Sequence, residues 1–124
     1  GLLAWIGEKF HSWTDHDGDL FAVVDRDILL TNVSIYWFTE TINSSARMYF
    51  ELVPTLQAGF GTTGDTPLGV SIFPKELFAA RRAWVEAAHN LVFWVEHDRG
   101  GHFAALEAPE ALVGDIRAFF RDLR

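Results

Sequence analysis

The sequence contains no cysteine, which excludes disulfides, a thiol nucleophile and thiolate-ligated zinc. Positive charge is scarce as well: ten Lys and Arg stand against seventeen Asp and Glu, for a formal net charge of −7. No basic stripe is left to neutralise phosphates, so nucleic acid is not expected as a partner. No apolar run approaches the ~20 residues that span a bilayer. The opening Gly1-Leu-Leu-Ala-Trp-Ile6 gives way to Glu8 and Lys9 rather than to a signal-peptide core, and a cytoplasmic location is expected. The chain lacks an initiator methionine and enters a helical pattern at once, from which we expect a segment upstream. Internal repeats and low-complexity tracts are also missing.

Bulky apolar side chains, by contrast, are abundant. The 124 residues suffice for one modest domain with a real core, and 49% of them are hydrophobic, with five Trp and eleven Phe. That excess implies a pocket, or faces that meet a partner or a missing part of the chain.

Residues 1–13 space Leu2, Leu3, Trp5, Ile6, Phe10 and Trp13 as an amphipathic helix. Asp15, Asp17 and Asp19 then alternate like the start of a calcium loop. The loop would need Gly at its sixth place and Glu at its twelfth, where Leu20 and Arg26 stand, so a solvated turn is expected and no metal. His11, His16, His89 and His97 read as surface residues. Asp25 or Asp27 caps a buried helix over Ile28–Phe38, and Ser44 or Ser45 caps another over Ala46–Val53, which Pro54 ends. Asn32-Val-Ser34 and Asn43-Ser-Ser45 match the glycosylation pattern by chance. The glycine-rich stretch 55–66 is neither a P-loop nor a dinucleotide fingerprint, and reads as a linker between a helical segment, 1–54, and a core segment, 67–124.

In the core segment, Pro67–Phe73 reads as a buried parallel strand with the turn Pro74-Lys-Glu76 at its end. Arg81–Ala88 is a crossover helix that Asn90 can end, Leu91–Glu96 the next strand, and Ala111–Leu123 a closing helix. Leu112, Val113, Ile116, Phe119, Phe120 and Leu123 form that helix's apolar face. Two strands and a helix make one right-handed βαβ unit, which needs neighbours to be a stable sheet. The expected class is α/β.

Arg99-Gly-Gly-His-Phe-Ala-Ala-Leu-Glu-Ala-Pro109 follows the second strand. Strand, paired glycines, histidine and helix in that order resemble the end of an α/β-hydrolase, where the histidine is the general base. With Gly1–Phe10, Tyr36–Tyr49 and Val70-Ser-Ile-Phe-Pro-Lys-Glu76, the chain resembles the microsomal-type epoxide hydrolases over nearly its whole length. The resemblance implies the C-terminal part of an α/β-hydrolase fold: a helical lid, a linker, then the last two parallel core strands and a closing helix.

Sites in open α/β sheets lie at the carboxyl ends of strands, which singles out Glu76 and His102. An acid followed by a histidine is the order of the last two members of such a triad. Glu96 and Asp98 stand nearer to His102 in sequence as alternative acids. The resemblance further implies that Tyr49, a lid tyrosine, donates a hydrogen bond to the epoxide oxygen as the ring opens; a phenol is protonated at neutral pH and can stabilise that alkoxide. From sequence alone Tyr49 reads as a packed helix residue with its hydroxyl in water, and Tyr36 as core packing beside Trp37. Trp37 and Phe38 are taken as substrate-binding residues for a small apolar epoxide. The family's nucleophilic aspartate, oxyanion hole and second lid tyrosine have no counterpart in this chain, so the N-terminal part of the same enzyme is the expected partner and the chain alone is expected to be inactive. No cofactor is implied, and a homo-oligomer stays open. A different α/β-hydrolase would keep Glu76 and His102 without needing Tyr49. A non-catalytic binding fragment, or the second chain of a split hydrolase, would need none of them.

Overall fold

The computed structural model describes residues 1–57, 63–121 and 123. The expected linker residues 58–62, and residue 122 of the expected closing helix, lie outside the described residues. Among the described residues, eight regular elements and one short 3-10 turn follow in the order α1 (Leu2–Trp13), the turn Leu20–Ala22, α2 (Arg26–Phe38), α3 (Ile42–Gln57), β1 (Gly64–Ile72), α4 (Arg82–Ala88), β2 (His89–Glu96), α5 (Ala104–Glu107) and α6 (Pro109–Arg121).

Local chemistry sets most of these ends. Asp25 caps α2, its Oδ1 accepting from the backbone of Asp27 at 2.7 Å and of Ile28 at 3.3 Å. At the other end of α2, Thr41 N–H donates to Tyr36 O and Glu40 N–H to Trp37 O, the paired bonds of a Schellman stop. Glu40 takes the left-handed conformation there, with φ 57°, at a place where glycine is the usual choice. α3 starts earlier than expected, at Ile42. Ser44 and Ser45 do not cap it; their hydroxyls donate back to the carbonyls of Thr41 and Ile42. Pro54 does not end it either, and the helix runs on to Gln57.

β1 and β2 pair in parallel, with Gly69 opposite Phe93 and Ile72 opposite Glu96, and α4 as the crossover. The irregular register between Gly64 and Gly69 marks where β1 extends beyond the expected Pro67 start. β2 begins at His89, directly from α4, and Asn90 is not the helix stop; its amide donates to Asp65 O at 2.9 Å. α6 crosses β1 at Gly69, where a Cβ would lie 2.7 Å from the Phe119 ring. The expected apolar face of α6 is split. Phe119 meets the sheet while Val113, Ile116 and Phe120 are exposed.

The buried core lies away from the sheet. Phe10, Leu20, Val24 and Leu29 form it, with Phe103 and Leu106 packed against them, so it joins the first helices to the loop after β2. Phe10 and Phe103 stack at 4.3 Å with rings 5° from parallel. α2 is not the buried helix that its apolar sequence suggests, for only Leu29 is buried while Ile28, Leu30, Ile35, Trp37 and Phe38 are exposed. The accessible surface is 9239 Å². A compact monomer of this mass exposes about 6,700 Å². Among the described residues, no helix is long and apolar enough to cross a membrane.

Candidate active site

A turn that only glycine permits delivers His102 from the end of β2. Gly100 has φ +102°, and a Cβ there would meet the Phe73 ring at 2.8 Å. At Gly101 a Cβ would fall 2.6 Å from Trp13 O. Hydrogen bonds hold the turn from several directions: Lys75 N–H donates to Gly100 O at 3.1 Å, and His102 N–H to Trp13 O at 3.0 Å. Two carboxylates complete the grip. Gly100 N–H donates to Asp15 Oδ2 at 2.8 Å, and Phe103 N–H to Glu107 Oε1 at 2.8 Å.

Glu76 reaches the same place from β1, through a turn in which its own N–H donates to Phe73 O at 3.2 Å. Its Oε1 accepts from Leu77 N–H at 2.6 Å and lies 2.7 Å from His102 Nδ1. The structure therefore brings Glu76 and His102 together. Of the alternative acids, Glu96 instead accepts from the Trp94 indole at 2.9 Å, and Asp98 is exposed. Both side chains of the pair are about one-third open to solvent, 37% for His102 and 33% for Glu76. A carboxylate on Nδ1 fixes the imidazole with its other nitrogen, Nε2, turned to exchange a proton, and stabilises the imidazolium once formed.

The imidazole stands against two aromatic rings, Trp13 at 4.9 Å and Phe103 at 5.2 Å, both edge-on. These rings also line a cleft of about 320 Å³, with Trp5, Phe10, Tyr36 and Tyr49 on its other walls. Tyr49, on α3, is 55% exposed and tilts against Trp5 at 6.4 Å. Lys9 lines the cleft as well, with its ammonium 2.6 Å from Glu8. That ion pair, followed by the Ser12 hydroxyl, holds the Glu8 carboxyl below its ordinary range.

Trp37 and Phe38 are not brought to this cleft; they are 68% and 81% exposed and do not line it. Tyr36, expected as packing, lines it beside Tyr49. His97 is not the surface residue expected. Its Nε2 lies 2.6 Å from Asp115 Oδ2, its ring stacks on Phe73 at 4.7 Å, and its side chain is 17% exposed. Asp15 was expected in a solvated turn and instead grips Gly100; Asp19 caps the 3-10 turn through Phe21 N–H. Among the described residues, no group of three or more His, Asp or Glu is placed to hold a metal ion.

No family model matches the chain. Individual proteins do. A relative from Stigmatella aurantiaca, provisionally named an epoxide hydrolase, is 47% identical over 128 residues, covering 100% of this chain and 28% of its own length. Epoxide hydrolase 1 of Sus scrofa is 38% identical over 96% of this chain and 28% of its length. The solved structure of Aspergillus niger epoxide hydrolase superposes with a TM-score of 0.79 at 40% identity, over 99% of this chain and 30% of that one.

In sequence and in fold the chain is similar to the epoxide hydrolases.

It matches a C-terminal portion of them and spans a little over a quarter of the length of the curated relatives. Its two parallel strands and flanking helices are the corresponding part of the epoxide hydrolase α/β-hydrolase fold. The juvenile hormone epoxide hydrolase of Bombyx mori superposes with a TM-score of 0.85 at 30% identity, over 98% of this chain.

Proposed function

We propose that this chain supplies the base, its orienting acid and the proton donor of an epoxide hydrolase whose N-terminal portion supplies the nucleophile. One observation carries the reading: the 2.7 Å contact between His102 Nδ1 and Glu76 Oε1, set against the aromatic end of a cleft that Tyr49 lines. The excess apolar surface supports the N-terminal portion as the partner, and the exposed Trp37 and Phe38 belong to the area that it covers. The cleft, walled by Trp5, Phe10, Trp13 and Phe103, suits a small apolar epoxide.

In the first step a carboxylate oxygen of the partner attacks an epoxide carbon. The carbon–oxygen bond breaks, the electron pair passes to the ring oxygen, and Tyr49 donates the proton that makes it a hydroxyl. In the second, His102 Nε2 takes a proton from water and the hydroxide adds to the ester carbonyl. The alcohol oxygen leaves with the proton of the added hydroxide, the carboxylate is restored, and the proton on His102 passes back to the Tyr49 phenolate. One epoxide and one water give one vicinal diol, with Glu76 orienting the neutral imidazole and stabilising the imidazolium once it forms.

The test uses the full-length protein carrying this chain, with styrene oxide as the probe. His102→Ala should stop diol release while leaving alkylation, so that protein mass increases by one epoxide. Removal of a general base is expected to cost about 10²–10⁴ in turnover. Unaltered diol formation by His102→Ala would remove His102 from the mechanism.

A further inference from the structure

Glu107 touches neither the cleft nor the His102 ring, and nothing in the reaction above uses it. Its surroundings are nevertheless specific. Oε1 accepts from Phe103 N–H at 2.8 Å, one residue after the base, and Oε2 accepts from Asp15 N–H at 2.7 Å. Asp15 in turn accepts from Gly100 N–H at 2.8 Å, two residues before the base. His102 N–H itself donates to Trp13 O at 3.0 Å, within the same segment at the end of α1.

The space is fitted to this arrangement. A Cβ on Gly101 would lie 3.1 Å and 3.2 Å from the two Glu107 carboxylate oxygens, so the glycine leaves room for the carboxylate to sit against the backbone. No ammonium or guanidinium is paired with Glu107 among the described residues. Its two oxygens are engaged by two backbone amides from segments 88 residues apart in sequence, Asp15 and Phe103. A carboxylate is suited to this because it is acceptor-only and can take one amide on each oxygen. An amide side chain would turn a donor toward one of those donors.

We infer that Glu107 is a positioning residue for the general base: it clamps the backbone on both sides of His102, with Asp15 relaying the grip to Gly100, and so fixes the reach of Nε2. The inference rests on the proposed role of His102. It assigns Glu107 to the second step alone, because ring opening needs Tyr49 and the nucleophile but not the base.

The experiment compares Glu107→Gln with the unaltered full-length protein on styrene oxide, by intact mass and by steady-state kinetics. Glu107→Gln keeps the shape and gives up one of the two accepting oxygens. Ester formation in a single turnover should be unchanged while kcat falls about ten- to a hundred-fold, the scale on which small misplacements of a catalytic group act. The alkylated form should then accumulate during turnover, and KM should fall with kcat. A merely structural role would lower the amount of active protein and leave the alkylated fraction and KM as they were; that outcome overturns the inference. So does Glu107→Gln turnover equal to that of the unaltered protein. If the unaltered protein itself fails to open the epoxide, the reaction assignment is what fails. Asp15→Ala, which removes the acceptor of Gly100 N–H alone, should give a smaller effect of the same kind, and the absence of any effect would remove Asp15 from the clamp.

Discussion

His97 and Asp115 meet at 2.6 Å behind the sheet, and Ser71 donates to the same carboxylate oxygen at 2.7 Å. α6 is thereby fastened to the ends of both strands, and His97 is pressed on Phe73, the ring that lies under Gly100. Asp115→Ala leaves two donors without their acceptor in a place that is only 14–17% exposed. A loss of about 2–3 kcal/mol of stability is expected, the scale of hydrogen bonds to a charged acceptor. Denaturant unfolding of the full-length protein measures it, and a loss below about 0.5 kcal/mol would mean that this fastening is idle.

Two tyrosines share the cleft, and only Tyr49 is assigned the proton donor. Tyr49→Phe should slow ester formation by about 10²-fold, the size of effect seen when one oxyanion donor is removed. Tyr36→Phe should stay within a few-fold of the unaltered rate. Single-turnover alkylation by styrene oxide separates the two, and the reverse ranking would move the donor from α3 to α2. Tyr49→Phe turnover left intact would favour an α/β-hydrolase of another substrate class.

Thr14 is buried between Trp13 and Asp15, at 6% exposure, and its hydroxyl has no hydrogen-bond partner among the described residues. Burying a hydroxyl without a partner is costly, so Thr14→Val, which keeps the shape, should stabilise the protein by about 1 kcal/mol. Thermal unfolding reads this directly. A destabilised Thr14→Val would mean that the hydroxyl has a partner in the full-length protein.

The sequence made the pair at the centre readable, because Glu76 and His102 each follow a strand and stand in a familiar order. It could not reveal the clamp around them. Asp15 and Glu107 are 92 residues apart; Asp15 looks like an ordinary acid in a polar turn and Glu107 like an ordinary acid on a short helix. His97 misled for a related reason: its polar neighbours suggest solvent, while its partner Asp115 lies on the one side of α6 that meets the sheet. The apolar run of α2 suggested burial, since periodicity records that a face is apolar but not what covers it. As aromatic residues of the helical segment Trp37 and Phe38 suggest substrate contact, yet the cleft takes Tyr36 from the same helix and leaves them outside. Pro54 is not a stop: α3 carries it inside and runs on to Gln57.

The stacking of Phe10 on Phe103 and the hydrogen bonds from the 99–107 loop to Trp13 and Asp15 bear on how such enzymes can be recombined. A chimera spliced at the glycine-rich stretch would exchange the first helix without the loop that rests on it. The two parents would then have to agree at Phe10, Trp13 and Asp15 on one side and at Gly100, Phe103 and Glu107 on the other. Shuffling the second and third helices alone leaves that seam intact, and gives the engineer a cassette that reshapes the cleft without disturbing His102.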